Sequence, residues 1–233
     1  ARKTAWNDVK SYLDNNFTCI SYDLRGHGES PKGELPYSLE VLVEDLEALR
    51  TKLAVDKIHI VGHSLGGMIG PAYAKKYPQH TLSVSLLSTA AFRTEDDITK
   101  VKSVVASMHE KGIEAVLSTL TNRWFTDDFI VANPDKVHFR LKQVLATEAD
   151  VFLEVFRIYA ETEMSPWLDL IVQPCLVLTG ENDGGCNPRL NRLIHSVLPN
   201  SELVILNHYK HSLLMEAPES VGKQVCDFLL RLS

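Results

Sequence analysis

The chain has 233 residues and a formal net charge of -6, with 45% hydrophobic and 23% charged residues. A chain of this length can bury a substantial core, and this hydrophobic fraction is ordinary for a globular protein. The negative charge argues against nucleic acid and anionic membranes as partners, and no apolar run reaches membrane-spanning length.

Four cysteines, Cys19, Cys175, Cys186 and Cys226, lack the spacing of a metal site. Cys19 and Cys175 fall in predicted buried strands, which favours reduced thiols over a disulfide framework. The sequence therefore predicts a cytoplasmic protein, and nothing in it indicates a metal or an organic cofactor.

The N-terminal part alternates helical and strand-like patterns. Residues 4–14 have the periodicity of a short amphipathic helix, and residues 17–22 are rich in β-forming side chains. A glycine-rich loop follows at residues 23–31, and the pattern then predicts a helix over residues 38–53. His27 lies between two glycines in this loop, so we interpret it as a hydrogen-bonded loop residue rather than a catalytic base.

A serine turn lies at the centre of the pattern. Residues 56–61 predict a buried strand and residues 65–77 a helix, with Gly-x-Ser-x-Gly between them. A serine on such a turn is held in a strained backbone conformation with its hydroxyl clear of the main chain. We expect Gly62 and Gly66 to flank Ser64 because a side chain at either position would collide where the helix folds back on the strand.

The second half resumes the alternation after a helical interruption. Residues 82–87, 172–179 and 202–206 predict strands, and residues 187–198 and 218–231 predict helices. Between them, four segments have helical periodicity, at residues 97–109, 112–122, 134–147 and 149–162. This order predicts an α/β fold with a mostly parallel sheet covered by helices on both faces. We assign residues 1–88 and 171–233 to the core and residues 89–170 to an inserted helical cap.

Two further polar residues follow predicted strands. Asp183 and His211 each come after one of the resumed strands, and sites in open parallel sheets gather beyond the carboxyl ends of the strands. Taken singly, Asp183 is an ordinary turn aspartate and His211 or His208 a polar loop residue. Together with Ser64 they follow the order Ser, Asp, His that is expected for one class of hydrolase.

The chain resembles the α/β-hydrolase superfamily along essentially its whole length. Four segments carry this resemblance. Residues 23–30 are similar to the loop after the family's fourth strand, and residues 62–67 are similar to its nucleophile elbow. Residues 178–183 are similar to the turn that carries its catalytic acid, and residues 211–219 are similar to the segment that carries its catalytic histidine. The last match favours His211 over His208 as the catalytic histidine. Residues 123–126 in the cap resemble a segment of 3-oxoadipate enol-lactonases.

The same resemblance implies a missing N-terminal part. The family begins with two or three strands and a His-Gly loop that supplies a second oxyanion donor, whereas this chain starts at the following helix. In the family's strand order, the third strand lies between residues 17–22 and 57–61. Because a missing central strand leaves buried backbone groups unpaired, we expect the working protein to have a preceding segment.

The resemblance implies acyl transfer to water without a cofactor. Ser64 attacks a carbonyl carbon, His211 takes its proton, Asp183 orients the imidazole, and the Leu65 N–H donates to the oxyanion. Serine at the elbow argues against haloalkane dehalogenase and epoxide hydrolase chemistry, which use a carboxylate. We expect a small-molecule ester or lactone as substrate, with enol-lactones of acidic metabolites favoured. A carbon–carbon bond hydrolase of a β-diketone-like substrate and a ligand-binding receptor are the alternatives, and a homodimer is left open.

The cap is expected to form the substrate pocket. Six aromatic side chains are candidates for its lining: Trp124, Phe125, Phe129, Phe152, Tyr159 and Trp167. Arg93 and Arg123 are candidates to pair with a substrate carboxylate, against the alternative of solvated surface arginines. The predicted substrate-binding residues are His63, Arg93, Arg123, Trp124, Phe125 and Trp167.

Overall fold

Four parallel strands form the sheet in the computed structural model, which describes residues 2–232. Their order in the sheet is their order in the chain: β1 (Ile58–His63), β2 (Thr81–Leu87), β3 (Cys175–Gly180) and β4 (Ser201–Leu206). All neighbouring pairs are parallel. β3 is buried at every position, which explains its continuous apolar sequence.

Helices cover the sheet on both faces and fill the segment between β2 and β3. Their bounds are α1 (Asn7–Lys10), α2 (Leu39–Lys52), α3 (Gly66–Lys76), α4 (Glu95–Lys111), α5 (Ile113–Trp124), α6 (Asp127–Ala132), α7 (Pro134–Leu145), α8 (Ala149–Glu161), α9 (Pro188–Val197), α10 (Leu213–Glu216) and α11 (Pro218–Leu230). Short 3₁₀ helices lie at Lys3–Trp6, Pro78–His80 and Leu168–Leu170.

The apolar core has two main layers, one on each face of the sheet. On one face, side chains of α2, α3 and α9 pack with alternate residues of the strands, such as Val84 and Val177. On the other face, α1 and α11 pack against Leu87 and Leu178. The predicted parallel sheet with helices on both faces is therefore confirmed.

Helix α3 lies unusually close to the sheet. A Cβ atom on Gly67 would lie 2.6 Å from the Cβ of Thr89, and one on Gly70 would lie 2.9 Å from a methyl carbon of Val84. These two glycines therefore allow the start of α3 to rest directly on the strands, which fixes the turn that precedes it.

The segment before the glycine-rich loop differs from its prediction. Residues 18–24 have no regular secondary structure and belong to no ladder among the described residues, so the strand predicted at residues 17–22 is wrong. A strand requires a hydrogen-bonded neighbour, and β1 is the edge of the described sheet. The ring of Phe17 meets the ring of His59 edge-on, with 6.0 Å between centroids. The strand expected between these segments stays a prediction.

Helices α4 to α8 occupy the region predicted to be a cap. α4 begins with a capping box, in which Asp97 N donates to the Thr94 hydroxyl and Thr94 N donates to the Asp97 carboxylate. These helices share a small apolar core of their own, including Met108, Leu120 and Val144. The division into a core of residues 1–88 and 171–233 and a cap of residues 89–170 stays a prediction.

Two further properties of the fold bear on the sequence predictions. All four cysteines are free thiols, as predicted. None of the helices in the described part of the chain combines the length and the hydrophobicity needed to cross a bilayer.

Candidate active site

Ser64 lies in the sharp turn between β1 and α3. Its φ angle is 56°, a left-handed conformation that costs a residue with a side chain about 1–3 kcal/mol. Two backbone hydrogen bonds hold the turn: Ser64 N donates to Leu87 O at 2.8 Å, and Gly67 N donates to Ser64 O at 2.9 Å. The next residue, Leu65, is buried at the first turn of α3.

The two glycines of the turn are not equivalent. A Cβ atom on Gly62 would overlap the Gly66 carbonyl group and lie 2.8 Å from Gly67 N. A Cβ atom on Gly66 would meet nothing within 4 Å. The expectation that a side chain would collide at both positions is therefore right for Gly62 and wrong for Gly66, because the α-carbon of Gly66 faces away from the strand.

His211 and Asp183 form a hydrogen-bonded pair. His211 Nδ1 donates to Asp183 Oδ2 at 2.7 Å, and the other carboxylate oxygen accepts from Gly185 N at 3.0 Å and Cys186 N at 2.8 Å. Because Nδ1 is the donor in this bond, Nε2 is the nitrogen left to accept a proton. The competing histidine, His208, is 92% exposed at its side chain.

The pair changes the pKa values of both partners. Burial alone would lower the pKa of His211, but the charge and the hydrogen bond of Asp183 outweigh burial and hold it well above its ordinary value. Burial alone would raise the pKa of Asp183, but the charge of His211 and the three hydrogen bonds to the carboxylate hold it below its ordinary value. Asp183 is therefore ionised and fixes the orientation of the imidazole.

His63 supports the loop that contains His211. Its Nε2 donates to the backbone carbonyl of His211 at 2.8 Å, and the two rings lie 4.9 Å apart between centroids. Burial, with a contribution from the neighbouring His211, lowers the pKa of His63 to about 3. His63 is therefore neutral at physiological pH and acts as a hydrogen-bond donor to the loop.

Ser64, Asp183 and His211 line one cavity of about 920 Å³. Among residues 2–232, no hydrogen bond joins the Ser64 hydroxyl to His211. Such catalytic hydrogen bonds are often long in unliganded enzymes and tighten when the substrate binds. The structure thus pairs His211 with Asp183 and places Ser64 on the wall of the same cavity.

Three of the predicted substrate-binding residues, His63, Arg123 and Trp124, line this cavity as well. The backbone carbonyl of Trp124 accepts a hydrogen bond from Ser212 N at 2.8 Å. This bond ties the end of α5 to the loop of His211.

Arg93, Phe125 and Trp167 lie outside the cavity lining. Arg93 donates from Nη1 to Thr162 O at 2.9 Å and packs over the ring of Tyr159, which separates it from the cavity. Phe125 is fully buried and stacks on Phe129, with 5.4 Å between ring centroids. Trp167 lies elsewhere, beneath the ammonium group of Lys75. The predicted role of these three side chains in substrate binding stays a prediction.

Sequence reasoning missed one residue near the histidine. Cys186 is fully buried, and its Sγ lies 3.1 Å from the hydroxyl of Tyr159. Its sulfur, a carboxylate oxygen of Asp183 and a ring nitrogen of His211 lie within 4.8 Å of one another, the one group in the described chain with metal-ligand chemistry. A cysteine three residues after the acid was the available signal.

His27 also lines the cavity, although the sequence analysis set it aside from the chemistry. Its Nδ1 lies 3.1 Å from Arg25 O, in keeping with a hydrogen-bonded loop residue. Burial, together with positive charges that include Arg140, lowers the pKa of His27 to about 4. The neighbouring Arg140 lines the same cavity and was not identified from the sequence.

Comparison with known proteins agrees with the observed fold. A family model described as alpha/beta hydrolase fold matches residues 4–218. The chain is 29% identical over 178 residues to 3-oxoadipate enol-lactonase 2 of Acinetobacter baylyi, covering 76% of this chain and 66% of that protein, just under two thirds. It is 26% identical to a proline iminopeptidase of Pestalotiopsis fici, covering 94% of this chain and 84% of that protein.

Solved structures show the same fold. The crystal structure of the enol-lactonase from Burkholderia xenovorans superposes with a TM-score of 0.90 at 24% identity, covering 98% of this chain and 87% of that one. At this identity the likeness concerns the fold alone.

Proposed function

We propose, because the chain belongs to the α/β-hydrolase fold family, that it is a serine hydrolase of small carboxylic esters or lactones. The observation that carries the proposal is the hydrogen bond from His211 to the buried Asp183, in a cavity that also contains Ser64 on its strained turn. This arrangement supports acyl transfer, in which a nucleophile, a base and an orienting acid act together.

In the proposed reaction, Ser64 Oγ attacks the carbonyl carbon and His211 Nε2 takes its proton. The imidazolium that forms is stabilised by Asp183, and the tetrahedral oxyanion accepts a hydrogen bond from the Leu65 N–H. Collapse of this intermediate expels the alcohol, which receives the proton from His211. Water then attacks the acyl-enzyme with His211 as base, which releases the acid and restores Ser64.

The cavity supports a small organic substrate. Its volume of about 920 Å³ is within the range of ligand sites. Apolar and aromatic side chains of the predicted cap line much of it, among them Val104, Leu120, Trp124, Phe139, Phe152 and Phe156. We assign substrate selection to this cap, residues 89–170, and place the protein in the cytoplasm on the basis of its free thiols.

The similarity to a 3-oxoadipate enol-lactonase favours lactones, and enol-lactones in particular, within this class. The similarity to a proline iminopeptidase makes amides the comparison to include in any assay.

A substrate panel tests the proposal. Hydrolysis of a 4-nitrophenyl ester, a five-membered enol-lactone, a prolyl anilide and a vinylogous β-diketone should be measured with the wild type, Ser64→Ala and Ser196→Ala. Ser196 is an exposed serine on α9 and serves as the matched control. We expect turnover of the ester or lactone that Ser64→Ala lowers by at least about ten thousandfold and Ser196→Ala leaves unchanged.

Each of the other outcomes would lead to a different conclusion about the function. Turnover of the diketone alone would assign the chain to carbon–carbon bond hydrolases. Tight binding of a ligand without turnover would favour a receptor. Hydrolysis that survives Ser64→Ala would contradict the assignment of the nucleophile.

A further inference from the structure

The cavity is rich in positive charge although the protein is acidic overall. Seven basic residues but only two acidic ones line it among the described residues, in a chain whose net charge is -6. One of the two acids is Asp183, which is already paired with His211. Because charge concentrated in a cleft attracts ligands of the opposite sign, the cavity favours an anion.

Arg140 on α7 is one of the basic lining residues whose charge has no partner among residues 2–232. It is half-buried, and its guanidinium carbon lies 5.6 Å from the centroid of the Trp124 ring. No carboxylate pairs with it, and no hydrogen bond to its side chain occurs, among residues 2–232. Burial, reinforced by the nearby Arg2, lowers the pKa of Arg140 to about 10, so the guanidinium still bears its charge at physiological pH.

A second guanidinium faces the same cavity. Arg2 also lines it, and the Nε of Arg2 is buried without a hydrogen-bond partner in the described structure. An unpaired buried cation costs free energy, so a site that keeps two of them near each other is suited to a ligand that neutralises them. Planar guanidinium groups bind carboxylates through two parallel hydrogen bonds.

Arg140 lines the same cavity as Ser64 and His211, the residues of the proposed chemistry. Its charge contributes to the lowered pKa values of both His27 and His63, and the ring of His63 is in contact with that of His211. Arg123 also lines the cavity, but among the described residues the ring of Trp124 packs against Arg140 and not against Arg123. Arg93 lies behind the ring of Tyr159, outside the cavity, and Arg50 is paired with Glu47.

We propose that Arg140, assisted by Arg2, forms a carboxylate subsite, so that the preferred substrates are esters or lactones bearing a free carboxylate away from the scissile bond. This inference rests on the proposed hydrolase function for its substrate, but the subsite itself can be tested without turnover. The apolar and aromatic walls around it, with Trp124 beside Arg140, suit an organic acid rather than an inorganic anion.

Calorimetric titration tests the subsite directly. Succinate, its dimethyl ester and inorganic phosphate should each be titrated into the wild type, Arg140→Gln, Arg140→Lys and Arg192→Gln. Arg192 is an exposed arginine on α9 outside the cavity and is the matched control. Circular dichroism spectra establish that each variant is folded.

We expect succinate to bind the wild type more tightly than either the dimethyl ester or phosphate. Arg140→Gln should weaken succinate binding by about ten- to hundredfold, the effect of losing charged hydrogen bonds. Arg140→Lys should give an intermediate affinity because it keeps the charge but cannot form the two parallel hydrogen bonds of a guanidinium group. Arg192→Gln should match the wild type. Succinate affinity that is unchanged in Arg140→Gln, or undetectable in the wild type, would overturn the proposal, and phosphate binding as tightly as succinate would overturn its carboxylate preference.

A pair of substrates then separates the subsite from the hydrolase function. 4-Nitrophenyl hemisuccinate and 4-nitrophenyl butyrate differ by a terminal carboxylate in place of a methyl group. We expect Arg140→Gln to lower the ratio of their kcat/KM values by about ten- to hundredfold. A ratio equal to that of the wild type would contradict the proposal. Succinate binding that depends on Arg140 without hydrolysis of either ester would support the subsite and contradict the hydrolase assignment.

Discussion

The Gly62→Ala substitution tests how the serine turn is built. A methyl group at Gly62 would overlap the carbonyl of Gly66 and lie 2.8 Å from Gly67 N, whereas ordinary contacts of this kind are 3.4–4 Å. All of these neighbours are backbone atoms at the start of α3, so no side-chain rotation can relieve the collision. Gly67 N alone must move by about 0.6 Å (3.4 minus 2.8 Å), and the Gly66 carbonyl must move further.

The packing of α3 determines the free energy of this movement. Gly67 and Gly70 already hold the helix against Thr89 and Val84, so a shift at Gly66 separates contacts along the same face. Overpacking that side chains can absorb costs about 1–3 kcal/mol. Because backbone must move here, we expect at least about 3 kcal/mol, which corresponds to a fall in Tm of about 6–12 °C for a chain of this size.

Thermal unfolding followed by circular dichroism measures this effect, with Gly66→Ala as the matched control. A methyl group at Gly66 meets nothing within 4 Å, and alanine is the better helix former, so its Tm should equal or exceed that of the wild type. The reaction rate of Ser64 with a fluorophosphonate should fall in Gly62→Ala only. A Gly62→Ala protein with wild-type Tm and wild-type reactivity would refute the reasoning.

Two further predictions concern pH. The pKa of His211 is held well above its ordinary value, and the base must be neutral to act, so kcat/KM should fall on acidification at a pH above about 6.5, the ordinary value for histidine. Asp183→Asn should move this acid limb to lower pH, and an unmoved limb would show that Asp183 does not control His211. Second, the pKa values of His27 and His63 are lowered to about 4 and about 3, so below pH 6.5 the unfolded chain binds protons that the folded chain does not. The free energy of unfolding should therefore fall by about 1.4 kcal/mol per pH unit for each of these histidines as the pH falls from 6.5 to 4. Urea unfolding at several pH values measures this slope, and His27→Gln should reduce it. A slope that is unchanged in His27→Gln would contradict the burial of His27.

Local patterns were sufficient to predict much of the fold. β3 is an almost continuous apolar run, which a buried parallel strand requires, and the serine turn has its glycines at fixed spacing. Asp183 and a histidine after β4 were expected together because the carboxyl ends of parallel strands meet at one edge, and the family resemblance selected His211 over His208. Their 2.7 Å hydrogen bond follows from that topology, which the order of strands and helices already indicated.

The pairing of strands and the orientation of individual residues could not be predicted from the sequence. Residues 17–22 have strand-like side chains, but a strand also needs a neighbour, and a neighbour is a property of the whole sheet. Gly62 and Gly66 occupy symmetrical places in the motif, yet only the first faces backbone, which depends on how α3 folds back.

The candidate arginines show the same limit. Arg93 was a candidate because it follows a strand, but the chain then turns its guanidinium toward Thr162 and the ring of Tyr159. Arg140 is on a helix whose periodicity alone does not indicate which face meets the cavity. Packing of α7 places it beside Trp124, a contact between residues of different helices.

Covalent labelling of Ser64 tests the central claim most directly. The intact mass of the wild type, Ser64→Ala and Ser196→Ala should be measured after incubation with a fluorophosphonate, on protein shown to be folded. The proposed nucleophile predicts a single adduct on the wild type and on Ser196→Ala, and none on Ser64→Ala. A folded wild type that stays unmodified, or a Ser64→Ala protein labelled as fully as the wild type, would contradict it.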